Sequence, residues 1–394
     1  MIRINDNFKN LEKNYLFVCI EQKLEEYKKE NPKADIIKLG IGDVTLPLCP
    51  SVIKAMHSAV DEMADKSTFH GYGPQSGYMF LREAIAKNYY KYNVSISPEE
   101  VYVSDGAKTD ASCIQEIFSP DGYALVCDPS YPVYVDSNIM FGRKVRYLSA
   151  NESNSFLPMP DETLNPSLIY LCSPNNPTGA VYSREQLKKW VDYAIRIQAI
   201  IIFDAAYESF IEEKDLPHSI FEIEGSRECS IEICSFSKNA GFTGIRCAYT
   251  VIPSDLKIGN IKVGDVWSRR QSAKFNGVSY VTQRAALEVF SSKSQKEIAG
   301  CLSYYKRNAK LISETLDNIG IWNIGGNNSP YIWLKCPLKM TSWEFFDYLL
   351  KNAGIIGTPG SGFGPNGEGF FRISSFGSYE NTLEAKKRLE LLEF

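Results

Sequence analysis

Histidine is scarce in this chain of 394 residues: only His57, His70 and His218 occur, far apart in sequence. Three scattered imidazoles give little material for a histidine-based metal site or a Ser-His-Asp triad. Long apolar runs are missing too. Stretches such as Ala199 to Phe203 are the longest, far short of the ~20 residues that span a bilayer, so no membrane association is expected. The opening residues, Met1-Ile2-Arg3-Ile4-Asn5-Asp6-Asn7, have no apolar signal-peptide core, and a cytoplasmic protein is expected. Neither sign of charge dominates. The 43 Lys and Arg set against 47 Asp and Glu leave −4, which offers neither a basic footprint for nucleic acid nor attraction to an anionic surface. No C-x-x-C pair exists among the ten cysteines (19, 49, 113, 127, 172, 229, 234, 247, 301 and 336). Several lie in apolar runs, as Cys127 and Cys172 do, so buried thiols in a reducing compartment are expected rather than disulfides or zinc ligands.

What is present is an alternation of apolar strands and amphipathic helices. Val101-Tyr102-Val103, Tyr123 to Cys127, Leu168 to Cys172, Ala199 to Phe203, Cys229 to Cys234 and Cys247 to Ile252 read as strands. Helical spacing marks Leu81 to Tyr92, Thr109 to Phe118 and, behind a Ser cap, Ser183 to Ile197. Such alternation predicts an α/β fold with a mainly parallel central sheet covered by helices on both faces. The ends differ. Phe17 to Glu30 (helix), Ile36 to Ile41, Gln295 to Ile319 (helix), Tyr331 to Leu334, Phe371 to Ile373 and Glu380 to Leu392 (helix) predict a smaller α+β domain built from both termini. The expected division is 1–45 (arm and part of the small domain), 46–280 (large domain) and 281–394 (small domain).

Polar residues cluster where the strands stop: Asp105-Gly106, Asn176, Asp204 and Ser235 to Lys238. In open α/β sheets, ligands bind beyond the carboxyl ends of the strands. Lys238 stands between Ser235, Ser237 and a glycine-bracketed turn, with Arg246 eight positions on. An amine can form a covalent bond to an aldehyde cofactor, and hydroxyls with a guanidinium suit its phosphate. The pattern therefore points to pyridoxal 5'-phosphate. Asp105-Gly106-Ala107-Lys108-Thr109 turns sharply into a helix whose N-terminus would favour the same phosphate. Asp204, closing an apolar strand, needs a partner such as a pyridinium N–H; capping a helix begun at Ala205 is its other use. Tyr207 could reach the phenolic oxygen, as could the Asn176 amide from Ser173-Pro174-Asn175-Asn176-Pro177-Thr178-Gly179, otherwise a plain turn. Tyr131 could lie against the ring, or simply pack in the core. Arg372, within the apolar strand Phe370-Phe371-Arg372-Ile373, calls for an anion, a carboxylate or a salt-bridge partner. Gly357 to Gly367, rich in Gly and Pro, reads as a mobile active-site loop.

Taken in order, Ser173 to Gly179, Asp204-Ala205-Ala206-Tyr207, Ser235 to Arg246 and Arg372 resemble the fold-type I, class I/II pyridoxal-phosphate aminotransferases. Within that family, Asn14-Tyr15-Leu16-Phe17, Leu39-Gly40-Ile41-Gly42-Asp43, Gly71-Tyr72-Gly73, Asp105 to Asp110, Asp128 to Tyr134 and Phe275-Asn276-Gly277 are similar to the LL-diaminopimelate aminotransferase branch. The resemblance implies that Lys238 carries the cofactor and that Asp204 holds its ring nitrogen. It further implies Asn176 and Tyr207 at the phenolic oxygen, Tyr131 stacked, and Ala107, Lys108, Ser235, Ser237 and Arg246 on the phosphate. Arg372 would take the substrate α-carboxylate. Tyr15, Gly42, Lys108, Tyr131, Asn176, Tyr72, Gln75 and Asn276 would surround the substrate, with Tyr72, Gln75 and Asn276 supplied by the second subunit of a homodimer. One departure stands out: Gln75 occupies a position where that branch usually has Glu, which implies looser selection of the distal ammonium. Transaminases for alanine, aspartate or aromatic substrates, and a lyase or decarboxylase on the same fold, stay open. A cofactor-binding regulator fused to a DNA reader fits less well, because the charge is acidic and no segment is spare for a helix-turn-helix.

Overall fold

A computed structural model describes residues 2–11, 16–40 and 42–393. Its larger sheet has seven strands: β1 (Val101–Ser104), β2 (Tyr123–Asp128), β3 (Lys144–Ser149), β4 (Leu168–Cys172), β5 (Ile200–Asp204), β6 (Ser230–Ser235) and β7 (Ala248–Val251). Their spatial order is β1-β7-β6-β5-β4-β2-β3. Strand β7 runs antiparallel to both neighbours, and every other pairing is parallel. The mainly parallel sheet read from the sequence is therefore present, with one reversed strand.

The central strands are apolar at successive positions because both faces are covered. Leu125, Ile169, Leu171, Ile201 and Phe203 enter one core, while Val126, Leu168, Tyr170, Ile200 and Ile202 enter the other. The helix α1 (Arg184–Ile197) shows how a covering element is specified. Ser183 Oγ accepts from the Gln186 N–H at 3.2 Å, and Gln186 Oε1 accepts from the Ser183 N–H at 2.9 Å. That reciprocal cap satisfies two donors at the helix start. Leu187, Trp190, Val191 and Ala194, at i, i+3, i+4 and i+7, then turn one face into the core, each large side chain contributing about 1.5–3 kcal/mol by burial.

A second, antiparallel sheet joins Asn323–Gly325, Tyr331–Lys335, Phe370–Ser374 and Thr358–Pro359 in that order. The N-terminal segment belongs with it. Ile37–Lys38 pairs in parallel with Ile355–Ile356, and Leu16, Ile20, Leu24 and Leu39 share a core with Phe345, Leu349, Phe371 and Leu389. Both chain ends thus build one smaller α+β unit beside the large sheet.

Some boundaries differ from those read in the sequence. The helix expected over Thr109 to Phe118 is an α-helix, α2, only over Ala107–Cys113, and continues as a 3-10 turn, Ile114–Ile117. The helix expected over Leu81 to Tyr92 likewise closes with a 3-10 turn, Tyr89–Tyr92. Gly357 to Gly367, expected to be a mobile active-site loop, makes tertiary contacts in this structure. Thr358–Pro359 pairs with the Phe370–Ser374 strand, the Phe363 carbonyl accepts from the Ser130 N–H at 2.9 Å, and the Asn366 N–H donates to the Asp128 carboxylate at 3.1 Å. Its glycines serve close approach: a Cβ on Gly367 would stand 1.9 Å from the Gly360 oxygen. All ten cysteines are free, and burial pushes the Cys127 thiol up to about 11.

Candidate active site

The strand directions bring six chain segments to one edge of the large sheet. β1, β2, β4, β5 and β6 all end there, and β7 begins there after Arg246. Register makes this close. Asp204 lies level with Cys172 on one side and Ile233 on the other, and Ser104 and Ser235 both face Ala248. Beyond this edge is a cavity of about 340 Å³. Gly42, Ala107, Lys108, Tyr131, Asn176, Asp204, Tyr207, Ser235, Ser237, Lys238, Arg246 and Arg372 all line it.

Asp204 is buried. Its Oδ2 accepts from the Tyr134 hydroxyl at 2.6 Å and its Oδ1 from the Ala206 N–H at 3.0 Å, so it serves the local turn as well as facing the cavity. Burial raises its pKa above the usual carboxylate range, and the Tyr134 bond works against that rise. Among the described residues no cationic side chain forms an ion pair with it. Lys238 sits on the one-turn helix Phe236–Asn239, capped by Ser235, whose Oγ accepts from the Ser237 N–H at 3.1 Å. The lysine Nζ donates to the Gly42 carbonyl. Burial brings its ammonium down to about 8, the Asp43 carboxylate opposing this and Arg372 and Arg246 adding to it.

Arg372 is 1% exposed and has no carboxylate partner among the described residues. Nη1 donates to Asn176 Oδ1 at 2.6 Å, and Nη2 donates to the Gly40 carbonyl at 3.0 Å and to Thr358 Oγ1 at 3.3 Å. Its buried Nε has no hydrogen-bond acceptor. The guanidinium carbon lies 4.3 Å from the Tyr331 ring centre and 4.9 Å from that of Phe363. Beside Arg246, which also lines the cavity, Gly106 has φ +152°, and a Cβ there would stand 2.1 Å from Arg246 Nη2. Arg246 itself takes φ 60°, a backbone conformation rarely adopted by non-glycine residues and often stored at functional sites.

The family model described as Aminotransferase class I and II matches residues 34–389. The chain belongs to this family. It is 53% identical to LL-diaminopimelate aminotransferase of Lachnospira eligens and 50% identical to that of Methanosphaera stadtmanae, over the full length of each pair. A solved structure of L,L-diaminopimelate aminotransferase from Chlamydomonas reinhardtii superposes with TM-score 0.93 at 40% identity, covering 99% of this chain and 98% of that one. The seven-stranded sheet and its antiparallel companion are the two parts of the fold-type I architecture shared by these aminotransferases.

Three residues expected near the substrate lie outside the aminotransferase's own cavity. Tyr72 is 92% exposed, and Gln75 and Asn276 are also exposed. The segments carrying Gln75 and Asn276 lie side by side: Gln75 Oε1 accepts from Ser272 Oγ at 2.5 Å, and a Cβ on Gly277 would stand 3.0 Å from the Pro74 oxygen. Tyr15 lies outside the described residues. Reading the sequence missed Phe17, Asp43, Tyr134, Thr243 and Tyr331, which also line the cavity. Among the described residues no cluster of His, Cys, Asp and Glu is placed to hold a metal, and no helix is long and apolar enough to cross a membrane.

Proposed function

We propose that this aminotransferase is an LL-diaminopimelate aminotransferase. It moves an amino group between glutamate and the open-chain keto form of tetrahydrodipicolinate, giving LL-2,6-diaminopimelate and 2-oxoglutarate reversibly, for lysine and peptidoglycan precursors in the cytoplasm. The observation that carries the reading is one cavity lined by a buried carboxylate, Asp204, and a buried guanidinium, Arg372, neither with an ionic partner of its own among the described residues. Each uncompensated charge costs several kcal/mol unless a ligand answers it.

Pyridoxal 5'-phosphate fits what the residues leave open. Asp204 would hold the ring-nitrogen proton, Asn176 and Tyr207 the phenolic oxygen, and Tyr131 one face of the ring. Ala107, Lys108, Ser235, Ser237 and Arg246 would hold the phosphate where the absent Gly106 side chain leaves room. Bound there, the cofactor supplies an electron sink for a carbanion at the substrate α-carbon.

Lys238 would hold the cofactor's aldehyde carbon, and its amine is the group that would take and return the α-carbon proton. An amine brought down to about 8 is near enough to neutrality to do both. Arg372 fixes the α-carboxylate bidentately, and its carbonyl and amide partners hold its planar fork in place. Gly42 contributes its backbone at the substrate end. Tyr15, and Tyr72, Gln75 and Asn276 from the second subunit of a homodimer, enclose the distal group. Exposure of those last three in a single chain supports their serving a neighbour's site. With Gln75 the distal ammonium meets an amide rather than a carboxylate, so selection is looser than Glu would give.

The test is to load the purified protein with pyridoxal 5'-phosphate and assay glutamate formed from LL-diaminopimelate and 2-oxoglutarate. Turnover with alanine, aspartate or aromatic donors but none with LL-diaminopimelate would assign it to another class I/II activity.

A further inference from the structure

We propose that Tyr331 is a positioning residue that links the carboxylate-binding arginine to the phenolic oxygen of the cofactor through Tyr207. The inference rests on the functional reading above and extends it to a side chain with no role there.

Tyr331 opens the strand Tyr331–Lys335 and is 1% exposed. The antiparallel register sets Trp333 opposite Arg372 and Tyr331 opposite Ser374, so Tyr331 and Arg372 are diagonal neighbours on one face of the small sheet. The ring accordingly lies against the guanidinium, 4.3 Å from ring centre to carbon. Its hydroxyl is 2.7 Å from the Tyr207 hydroxyl, and the two rings meet edge to face at 5.0 Å. Tyr331 therefore touches two residues that meet different parts of the bound pair.

Proton counting gives the bond a direction. Tyr207 has one O–H. Burial holds that hydroxyl well above its ordinary range, so it stays protonated. If it donates to the phenolic oxygen, the Tyr207–Tyr331 bond can form only with Tyr331 as donor. Two O–H groups then point in sequence toward the phenolic oxygen, each polarising the next. Removing the outer donor weakens the inner one, leaves the phenolic oxygen less stabilised in its anionic form, and raises the basicity of the nitrogen conjugated to it. The Tyr331 ring acts separately from its hydroxyl, holding the guanidinium by a cation–π contact.

The experiment uses the enzyme loaded with pyridoxal 5'-phosphate and follows the pH midpoint of the cofactor's visible absorbance, with KM for 2-oxoglutarate measured alongside. Tyr331→Phe keeps the ring and loses the hydroxyl. Its midpoint is expected to rise by about half a pH unit, a fraction of what a whole hydrogen bond carries, with KM within about twofold of wild type. Adding Tyr331→Phe to Tyr207→Phe should shift the midpoint no further, because the outer donor acts only through the inner one. Tyr331→Leu, which also loses the ring, should raise KM about tenfold. An unmoved midpoint in Tyr331→Phe, or an equal shift in the Tyr207→Phe background, overturns the proposal. So does a loss of thermal stability unaccompanied by a spectral change. A wild type that takes up the cofactor and turns over while Tyr331→Phe is spectrally unchanged counts against the link alone. A wild type with no cofactor absorbance at all removes the functional reading and the link with it.

Discussion

Replacing Lys238 by Met should make the cofactor-free protein more stable at neutral pH. The lysine ammonium falls from its ordinary 10.5 to about 8, chiefly through burial. At 1.36 kcal/mol per pH unit this is about 3 kcal/mol of cost carried by the folded state when the amine is charged. The hydrogen bond from Nζ to the Gly42 carbonyl offsets about 1 kcal/mol. Methionine has a similar stem and no charge, so the variant should gain roughly 2 kcal/mol at pH 7. The sign sets the pH window. Below pH 8 the amine is charged in both folded and unfolded chains, and the whole cost is present. Between 8 and 10.5 the folded chain gives up its proton first, the unfolded chain binds more, and wild-type stability rises relative to the variant. Above 10.5 the difference vanishes apart from the hydrogen bond. Urea unfolding of both proteins at pH 7 and at pH 10 measures this, since the buried tyrosines and thiols titrate alike in each. A Lys238→Met protein that is less stable at pH 7, or a stability gap that does not shrink with pH, would refute the idea that the amine is held under strain before the cofactor relieves it.

Gly106→Ala should weaken pyridoxal-phosphate binding about 10- to 100-fold, read by absorbance titration, because a Cβ at φ +152° is strained and meets Arg246 Nη2 at 2.1 Å; unchanged affinity would mean that this turn does not hold the phosphate. Gln75→Glu should raise kcat/KM for LL-diaminopimelate relative to alanine about tenfold, by giving the distal ammonium a charged partner. An unaltered ratio would show that residue 75 never meets the substrate.

The parts of the site legible in the sequence were those where charge interrupts apolar pattern. Asp204 ends a strand buried at every position, and Arg372 lies among Phe370, Phe371 and Ile373, so both were conspicuous. Tyr134 and Tyr331 were not, because a tyrosine letter reads the same whether its hydroxyl serves a site or fills a core. The carbonyl oxygens of Gly40 and Gly42, which meet Arg372 and Lys238, have no side-chain signature at all. Strand β3 went unread because it is an edge strand, half-polar along its length. The helix Ser342–Ala353 did carry a signal, the reciprocal Thr341–Glu344 cap and the left-handed Gly354, obscured by the polar setting of its start. Gly357 to Gly367 shows why dense glycine is ambiguous in a sequence: it allows both looseness and closely packed backbones, and Gly360 and Gly367 are packed closely here.

The parallel pairing of Ile37–Lys38 with Ile355–Ile356 has a consequence for how the enzyme is made. Roughly three hundred residues separate the two partners, so a ribosome adding 5–20 residues per second needs about 15 to 60 seconds between emitting the first and the second. Through that interval the emerging chain carries the helix Leu16–Glu30 with Leu16, Ile20 and Leu24 lacking their eventual neighbours. Gly40 meets Arg372 only when the far end of the polypeptide arrives. A truncated translation product can therefore complete the large sheet yet stay catalytically silent, with the apolar face of its amphipathic N-terminal helix left uncovered.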